Sequence, residues 1–442
     1  MEMITRRGAL ALGAGALAAG SLGRQSAAAI PRADVAPPKL PIESGASLRV
    51  IRPARFVEPD EVIFRENAAR FSEEYKVPVR VDFVGWEDIR PQTAVIANTG
   101  SGPDVVIGWG DDPHIYADKL IELSDVAEYL GKRYGGWAFL AEKYGKRHRT
   151  NNWIGIPFGG STGPIVYRAS TVREAGFDQV PDDHASYLKL LQAMKRLNKP
   201  AGFALGNAVG DGNGFANWLL WSHGASLTDE EGKVSINSRE TIEALNYLRE
   251  LYPTFVSGVL SWLDPSNNRA YSAQEIHLTA NGVSLYFTLK NDPRTRSIAE
   301  DTEHRPLPRG RASAPPQGAS VLNAMIFRHV QYPNAAKEFI RFMMEAEQYE
   351  PWLSGCLGYW SQPLGAYREA AFWNSDRKIT LFRDAMNHPY WAGYKGPISQ
   401  ASGAVNADYV LVQMCAAVAS GQQTPEAAAR EAERRARRVY RT

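Results

Sequence analysis

Cysteine is nearly absent: Cys356 and Cys415 are the only two in 442 residues. There is no Cys-x-x-Cys and no Cys/His cluster, so a structural zinc site or a disulfide-dense scaffold has no basis. The two thiols could pair in an oxidising compartment. The eight histidines are scattered without ligand spacing. Gly-x-Ser-x-Gly and His-Glu-x-x-His are missing, which removes the commonest hydrolase signatures. Charge of one sign is also lacking. The formal net charge is +2 and the isoelectric point lies near 8.3, which predicts no nucleic-acid partner. Beyond the N-terminus no apolar run reaches the roughly 18 residues a membrane span needs.

What is present begins with the N-terminus. Arg6-Arg7 precedes an Ala/Gly/Leu run through Leu22, and Ala27-Ala28-Ala29 offers a small-residue cleavage site. Residues 1–29 thus read as an export signal of twin-arginine type. Ala9 stands where a bulky residue is usual, so the general secretory route stays open. No cysteine sits near the cleavage site, so a lipoprotein is not indicated. Residues 30–46, with Pro31, Pro37, Pro38 and Pro41, read as a flexible lead-in.

The length is too great for one core and suggests two domains. Strand and helix patterns alternate from Leu48 to Leu120, which argues for a mostly parallel, helix-covered sheet. The focus of this region is Gly100–Asp112. Gly102-Pro103 ends a helix, Val105-Val106-Ile107 is a buried-strand run, and Trp109, Asp111 and Asp112 follow it. Residues after such a strand lie where open sheets bind ligands. The same residues also suit a core aromatic and helix-capping aspartates. A second α/β region follows a Gly-rich stretch at 151–168. Strands are expected at Phe203–Leu205, Asn281–Phe287 and Val321–Arg328, and crossovers between lobes near 151–168 and 291–320. Gly159–Gly163 lacks the lysine and the glycine order of a phosphate loop. Asp211–Gly214 fails as a calcium loop because Phe215 takes a ligand position. The arginines at the C-terminal end have glutamates four residues before them (Glu426–Arg430, Glu431–Arg435), which marks a solvated helix face.

Several segments together resemble the extracellular solute-binding proteins of ABC importers, in the sugar-binding family of maltose-binding-protein type. They are Phe71–Val81, Ala97–Val106, Ile156-Pro-Phe with Ile165–Arg168, Val172–Phe177, Gly224–Gly232, Ala336–Phe342 and Ser420–Ala428. The resemblance implies an α/β fold of two lobes with a hinge and an interlobe ligand cleft. It places lobe 1 at 47–155 plus 300–354 and lobe 2 at 156–299 plus 355–442. It implies a periplasmic monomer, soluble once its signal is cleaved. Such a protein captures a sugar or polyol by closure and delivers it to the permease subunits. It implies no cofactor, no metal and no catalysis.

A sugar offers apolar C–H faces and a rim of hydroxyls, which call for aromatic plates and polar groups. The family pattern puts Trp86, Trp109 and Tyr286 at the cleft as plates, and Trp218 and Trp360 are further candidates from the sequence. The polar contacts are Glu87, Asp111, Asp112 and Gln317. The chain departs from the family at Gln317-Gly318-Ala319, where paired glycines are frequent, and near Tyr409, the nearest candidate for a missing aromatic. Two other readings remain. An anionic ligand (a phosphorylated polyol, a cofactor-like anion or a metal complex) could use Arg55, Arg294, Arg328 and the Gly159–Gly163 amides. A secreted carbohydrate-active enzyme would need acid/base work from Asp111/Asp112.

Overall fold

The structure is a computed structural model and describes residues 30–441. The export signal expected over 1–29 lies outside them. Among the described residues, eight strands form two sheets: β1 (Leu48–Pro53), β2 (Val79–Val84), β3 (Val105–Trp109), β4 (Ile156–Ser161), β5 (Ile165–Arg168), β6 (Leu278–Ala280), β7 (Thr302–Arg305) and β8 (Ser320–Met325). The first sheet has the order β2-β1-β3-β8-β4. Its first three strands are parallel, joined through helices Glu58–Tyr75 and Ile89–Thr99. The sheet is not parallel throughout: β8 runs antiparallel to both β3 and β4. A strand entering from the other lobe has no crossover helix to force parallel pairing. The second sheet, β6-β5-β7, is antiparallel.

Each sheet anchors a core. Val50, Ile51 and Val105–Ile107 pack with Phe64, Phe71, Phe339 and Ile340 in the first. Helices His184–Arg196, Asp211–Ser222, Arg239–Leu251, Val410–Ala419 and Pro425–Val439 bury Leu190, Phe215, Leu245, Val412 and Ala432 in the second. The last helix starts as its sequence suggests, with the Thr424 hydroxyl accepting from Ala427 N–H. Arg434 and Arg437 pair with Glu431 and Glu433, whereas Arg435, expected to pair with Glu431, donates to the Gln413 side chain and to Asp408 O. The chain passes between the sheets at 162–164, at 306–319 and again near 391–399. These passages make the floor of the space between lobes.

Several expectations are corrected. Asn281–Phe287 is not a strand: after Asn281-Gly282 the chain enters helix Ser284–Asn291, which buries Leu285, Tyr286 and Leu289. Phe203–Leu205 lies in no ladder. Its neighbourhood makes single backbone bonds, Gly202 N–H to Leu278 O and Leu205 N–H to Val259 O. Residues 30–46 are no free lead-in. Ile30, Val35, Leu40 and Ile42 pack on the first core, and the Glu43 carboxylate accepts from the backbone N–H groups of Asn334 and Ala335. Residues 359–370, given to lobe 2 by sequence, pack on lobe 1: Tyr367 donates to Met344 O at 2.8 Å and Gly365 N–H to Gly136 O. Cys356 and Cys415 are both free, and they are buried in different cores, which keeps them apart. No helix among the described residues is long and apolar enough to cross a membrane.

Candidate functional site

Strand β3 ends on Trp109, and Gly110 lets the chain turn tightly there: a Cβ on Gly110 would sit 2.8 Å from Val321 Cβ on β8. Trp109 thus projects from the carboxyl end of the central strand of the first sheet toward the second lobe. Its indole reaches within 3.5 Å of the position a Cβ on Gly210 would occupy. Around it stands an aromatic wall. Trp86 lies 5.1 Å from Trp109 and 6.1 Å from Trp360, the latter pair stacked, with Phe56 and Tyr359 alongside. Trp360 is held from behind by stacking on Trp352. A cavity of about 180 Å³ lies between this wall and the second lobe. Trp86 and Trp109 are 7 % exposed and Trp360 1 %, yet none of their three indole N–H groups has a hydrogen-bond partner. Buried donors without partners are costly, so three on one wall point to an acceptor-rich occupant.

The aspartates after Trp109 are engaged internally. Arg90, buried on helix Ile89–Thr99, pairs with Asp111 at 2.5 Å and Asp112 at 2.9 Å. Asp112 also accepts the Trp109 N–H at 2.9 Å, and Asn406 from the second lobe donates to Asp111 at 3.3 Å. Burial pushes Asp112 up to about 6 despite the guanidinium, whose own proton is held more tightly by the two carboxylates. Asp111 lines the cavity; Asp112 lies beneath it.

The other wall comes from the second lobe. Helix Asp211–Ser222 starts at the cavity. Its first amides are capped by Asp264, which accepts from Asp211 N–H at 2.8 Å and from Gly210 N–H at 3.1 Å. This is the helix end where a carboxylate is stabilised. Asp211 accepts from Asn267 at 2.7 Å. Burial is the main cause that raises Asp264 to about 6 and pushes Asp211 well above the carboxylate range, with the Asp264 charge adding to the shift of Asp211.

The expected site residues divide. The cavity brings together Trp86, Trp109, Asp111, Trp218, Gln317 and Trp360. Trp218 touches it from within the second core, with its indole N–H donated to Pro308 O at 2.9 Å. Gln317 donates its side-chain amide to Thr162, tying two passages between lobes together. Glu87 is not a lining residue, though its Oε1 is buried without a partner and its charge acts on Asp264. Tyr286 is elsewhere: it donates to Asp376 at 2.6 Å, because its segment is helical. The arginines named for an anion are also elsewhere. Arg55 pairs with Glu61, Arg294 with Asp292, and Arg328 donates to Leu120 O. Sequence reasoning missed Phe56, Arg90, Asn213, Asp264, Tyr359 and Asn406 as site residues. Only Arg90 left a signal, since two adjacent buried carboxylates require a nearby cation. Among the described residues no three His, Cys, Asp or Glu side chains are grouped to hold a metal ion.

Comparison with known proteins accords with this geometry. Residues 66–380 match the family model described as bacterial extracellular solute-binding protein. A relative in Escherichia coli (strain K12), named "Putative ABC transporter periplasmic-binding protein YcjN", is 23% identical over 308 residues, covering 66% of this chain and 67% of its own. The maltose-bound MalE3 of T. maritima superposes with a TM-score of 0.75 at 17% identity, over 89% of this chain and 100% of that one. A solute-binding protein of Agrobacterium radiobacter K84 in complex with ribitol gives 0.70 at 15%, over 89% and 99%. The two-lobed fold is therefore that of periplasmic sugar-binding proteins. The chain belongs to the bacterial extracellular solute-binding proteins, a family of ABC-transporter binding proteins and not of enzymes.

Proposed function

We propose that this protein captures a small sugar or polyol in the cleft between its lobes and hands it to the permease of an ABC importer, acting in the periplasm as a monomer. The observation that carries the reading is the aromatic wall with three buried, unpartnered indole N–H groups. Rings supply flat faces for C–H surfaces, and the N–H groups supply donors for hydroxyl oxygens. The lobes already meet through Trp109 against Gly210 and Asn406 against Asp111. A ligand touching both walls binds this closed arrangement better than an open one and shifts the population toward it. The cavity is smaller than the roughly 300–1,000 Å³ of drug-sized sites, so the ligand is small. Trp86 and Trp109 serve as plates, Trp360 backs them and offers its indole N–H, and Asp111 and Gln317 stand at the rim.

The test is thermal denaturation of the mature protein with a panel of monosaccharides, disaccharides, amino sugars, polyols and phosphorylated polyols. Mass spectrometry of natively purified protein identifies any retained ligand. A rise in melting temperature with at least one sugar or polyol is expected. A rise with phosphorylated compounds alone would overturn the reading.

A further inference from the structure

The charges of the cleft are unbalanced. Among the described residues Arg90 is the only Lys or Arg that lines the cavity, and Asp111 and Asp112 already occupy it. Asp211 and Asp264 also line the cavity, Asp264 buried and Asp211 largely so, and among the described residues neither has a cation at ion-pair distance. Asp264 is held by backbone N–H donors, and Asp211 by one amide. From the first lobe Glu87 adds a third negative charge that acts on Asp264. Asn213, 4 % exposed and lining the same wall, presents a side-chain oxygen with no donor. The second-lobe side of the cavity is thus rich in acceptors and negative charge, while the first-lobe side offers indole donors and ring faces.

A neutral ligand would leave two neighbouring carboxylates to repel each other, or make one of them hold a proton. An anion would add a further like charge. A cationic group relieves all of this, and an alkyl ammonium is protonated at neutral pH. It is also attracted to the ring faces opposite. Building on the sugar reading above, we infer that the natural ligand is an amine-bearing sugar or polyol, its ammonium group seated at Asp211, Asp264 and Asn213 and its hydroxyl oxygens against Trp86, Trp109 and Trp360.

Calorimetry on matched pairs tests this at neutral pH: glucosamine against glucose, galactosamine against galactose, and glucamine against sorbitol, with N-acetylglucosamine as the uncharged amide. At least one amine should bind tenfold or more tighter than its neutral partner, and N-acetylation should remove the gain. Asp211→Asn and, separately, Asp264→Asn should bring that pair to within threefold of each other, with circular dichroism confirming that each variant folds. Neutral sugars binding as tightly as their amines would overturn the inference while leaving the sugar reading intact. Binding of choline with no response to any sugar or polyol would overturn the sugar reading itself, and this inference with it.

Discussion

Trp109 sits where strand geometry, lobe contact and the aromatic wall meet. Its ring packs on Trp86 within its own lobe and reaches Gly210 of the other. Truncating a buried aromatic anchor typically costs more than about 1.5 kcal/mol of binding, or tenfold in affinity. Trp109→Ala is therefore expected to weaken binding of whichever sugar or polyol raises the melting temperature by tenfold or more in calorimetry. Unchanged affinity would make the ring a packing residue only. Arg90 has a different role. It is buried and bridges two carboxylates, so Arg90→Met leaves Asp111 and Asp112 without their cation. Removing one partner of a buried ion pair costs about 3–5 kcal/mol. Chemical denaturation should show a loss of that size, and a loss below about 1 kcal/mol would mean that the aspartates already carry protons. The sequence made Trp109 and the two aspartates visible but not the division of labour between them. A carboxylate facing a sugar and one paired to a buried guanidinium look alike until Arg90 is placed, 21 residues upstream of Asp111. Asp264 was less legible still, because it meets Asp211 across 53 residues with no local pattern to mark it.

At the scale of elements, the legible parts were those with strong period or capping chemistry. The β-branched run of β3 and the Thr424-Pro425 start of the last helix form as read. Asn281–Phe287 failed because a short apolar run does not separate strand from helix: Val283, Leu285 and Phe287 alternate as in a strand, while Leu285, Tyr286 and Leu289 make one buried helical face. Interlobe bookkeeping was also illegible, since which lobe receives residues 359–370 depends on partners such as Met344 and Gly136 that lie far back in the chain. One element junction links packing to function. Gly155, just before β4, lies against Asn323 of β8, whose amide donates to Gly110 O at 3.1 Å and Tyr144 O at 3.0 Å. A Cβ on Gly155 would fall 2.5 Å from Asn323 Oδ1. Gly155→Ala must displace that amide and loosen the turn that carries Trp109. Overpacking of this kind costs about 1–3 kcal/mol. Denaturation should register it, and calorimetry should show weaker binding of the same ligand. Wild-type values in both assays would mean that β8 gives way without cost.

At the scale of the whole molecule, the two cores share a load of buried ionisable groups that sets how stability responds to pH. Burial lowers His114, His184, His277 and His388 to about 4, and His304 to about 3. In the unfolded chain a histidine takes its proton near pH 6.5. Between roughly pH 6.5 and 4 the unfolded state therefore binds protons that the folded state refuses, and stability falls as pH falls. The raised carboxyls work the other way. Asp112 and Asp264, each at about 6, and Asp211 above the carboxylate range take protons in the folded state before the unfolded chain does. Their repulsion is relieved as pH falls through about 6, which offsets part of the loss. His148 and His223 are lowered too and Asp104 is raised, so seven histidines against four carboxyls leave the unfolded state with the greater uptake, and unfolding free energy should decline steadily from pH 6.5 to 4.5. Denaturant titrations across that interval measure it, and a flat or rising profile would mean that the cleft carboxyls outweigh the histidines. His304 provides the control. It lies between the rings of Tyr286 and Phe382, at 5.6 and 5.0 Å, where phenylalanine matches its shape. His304→Phe removes one group that must stay uncharged in the fold, and it should make the decline shallower while leaving ligand binding in the proposed cleft unchanged.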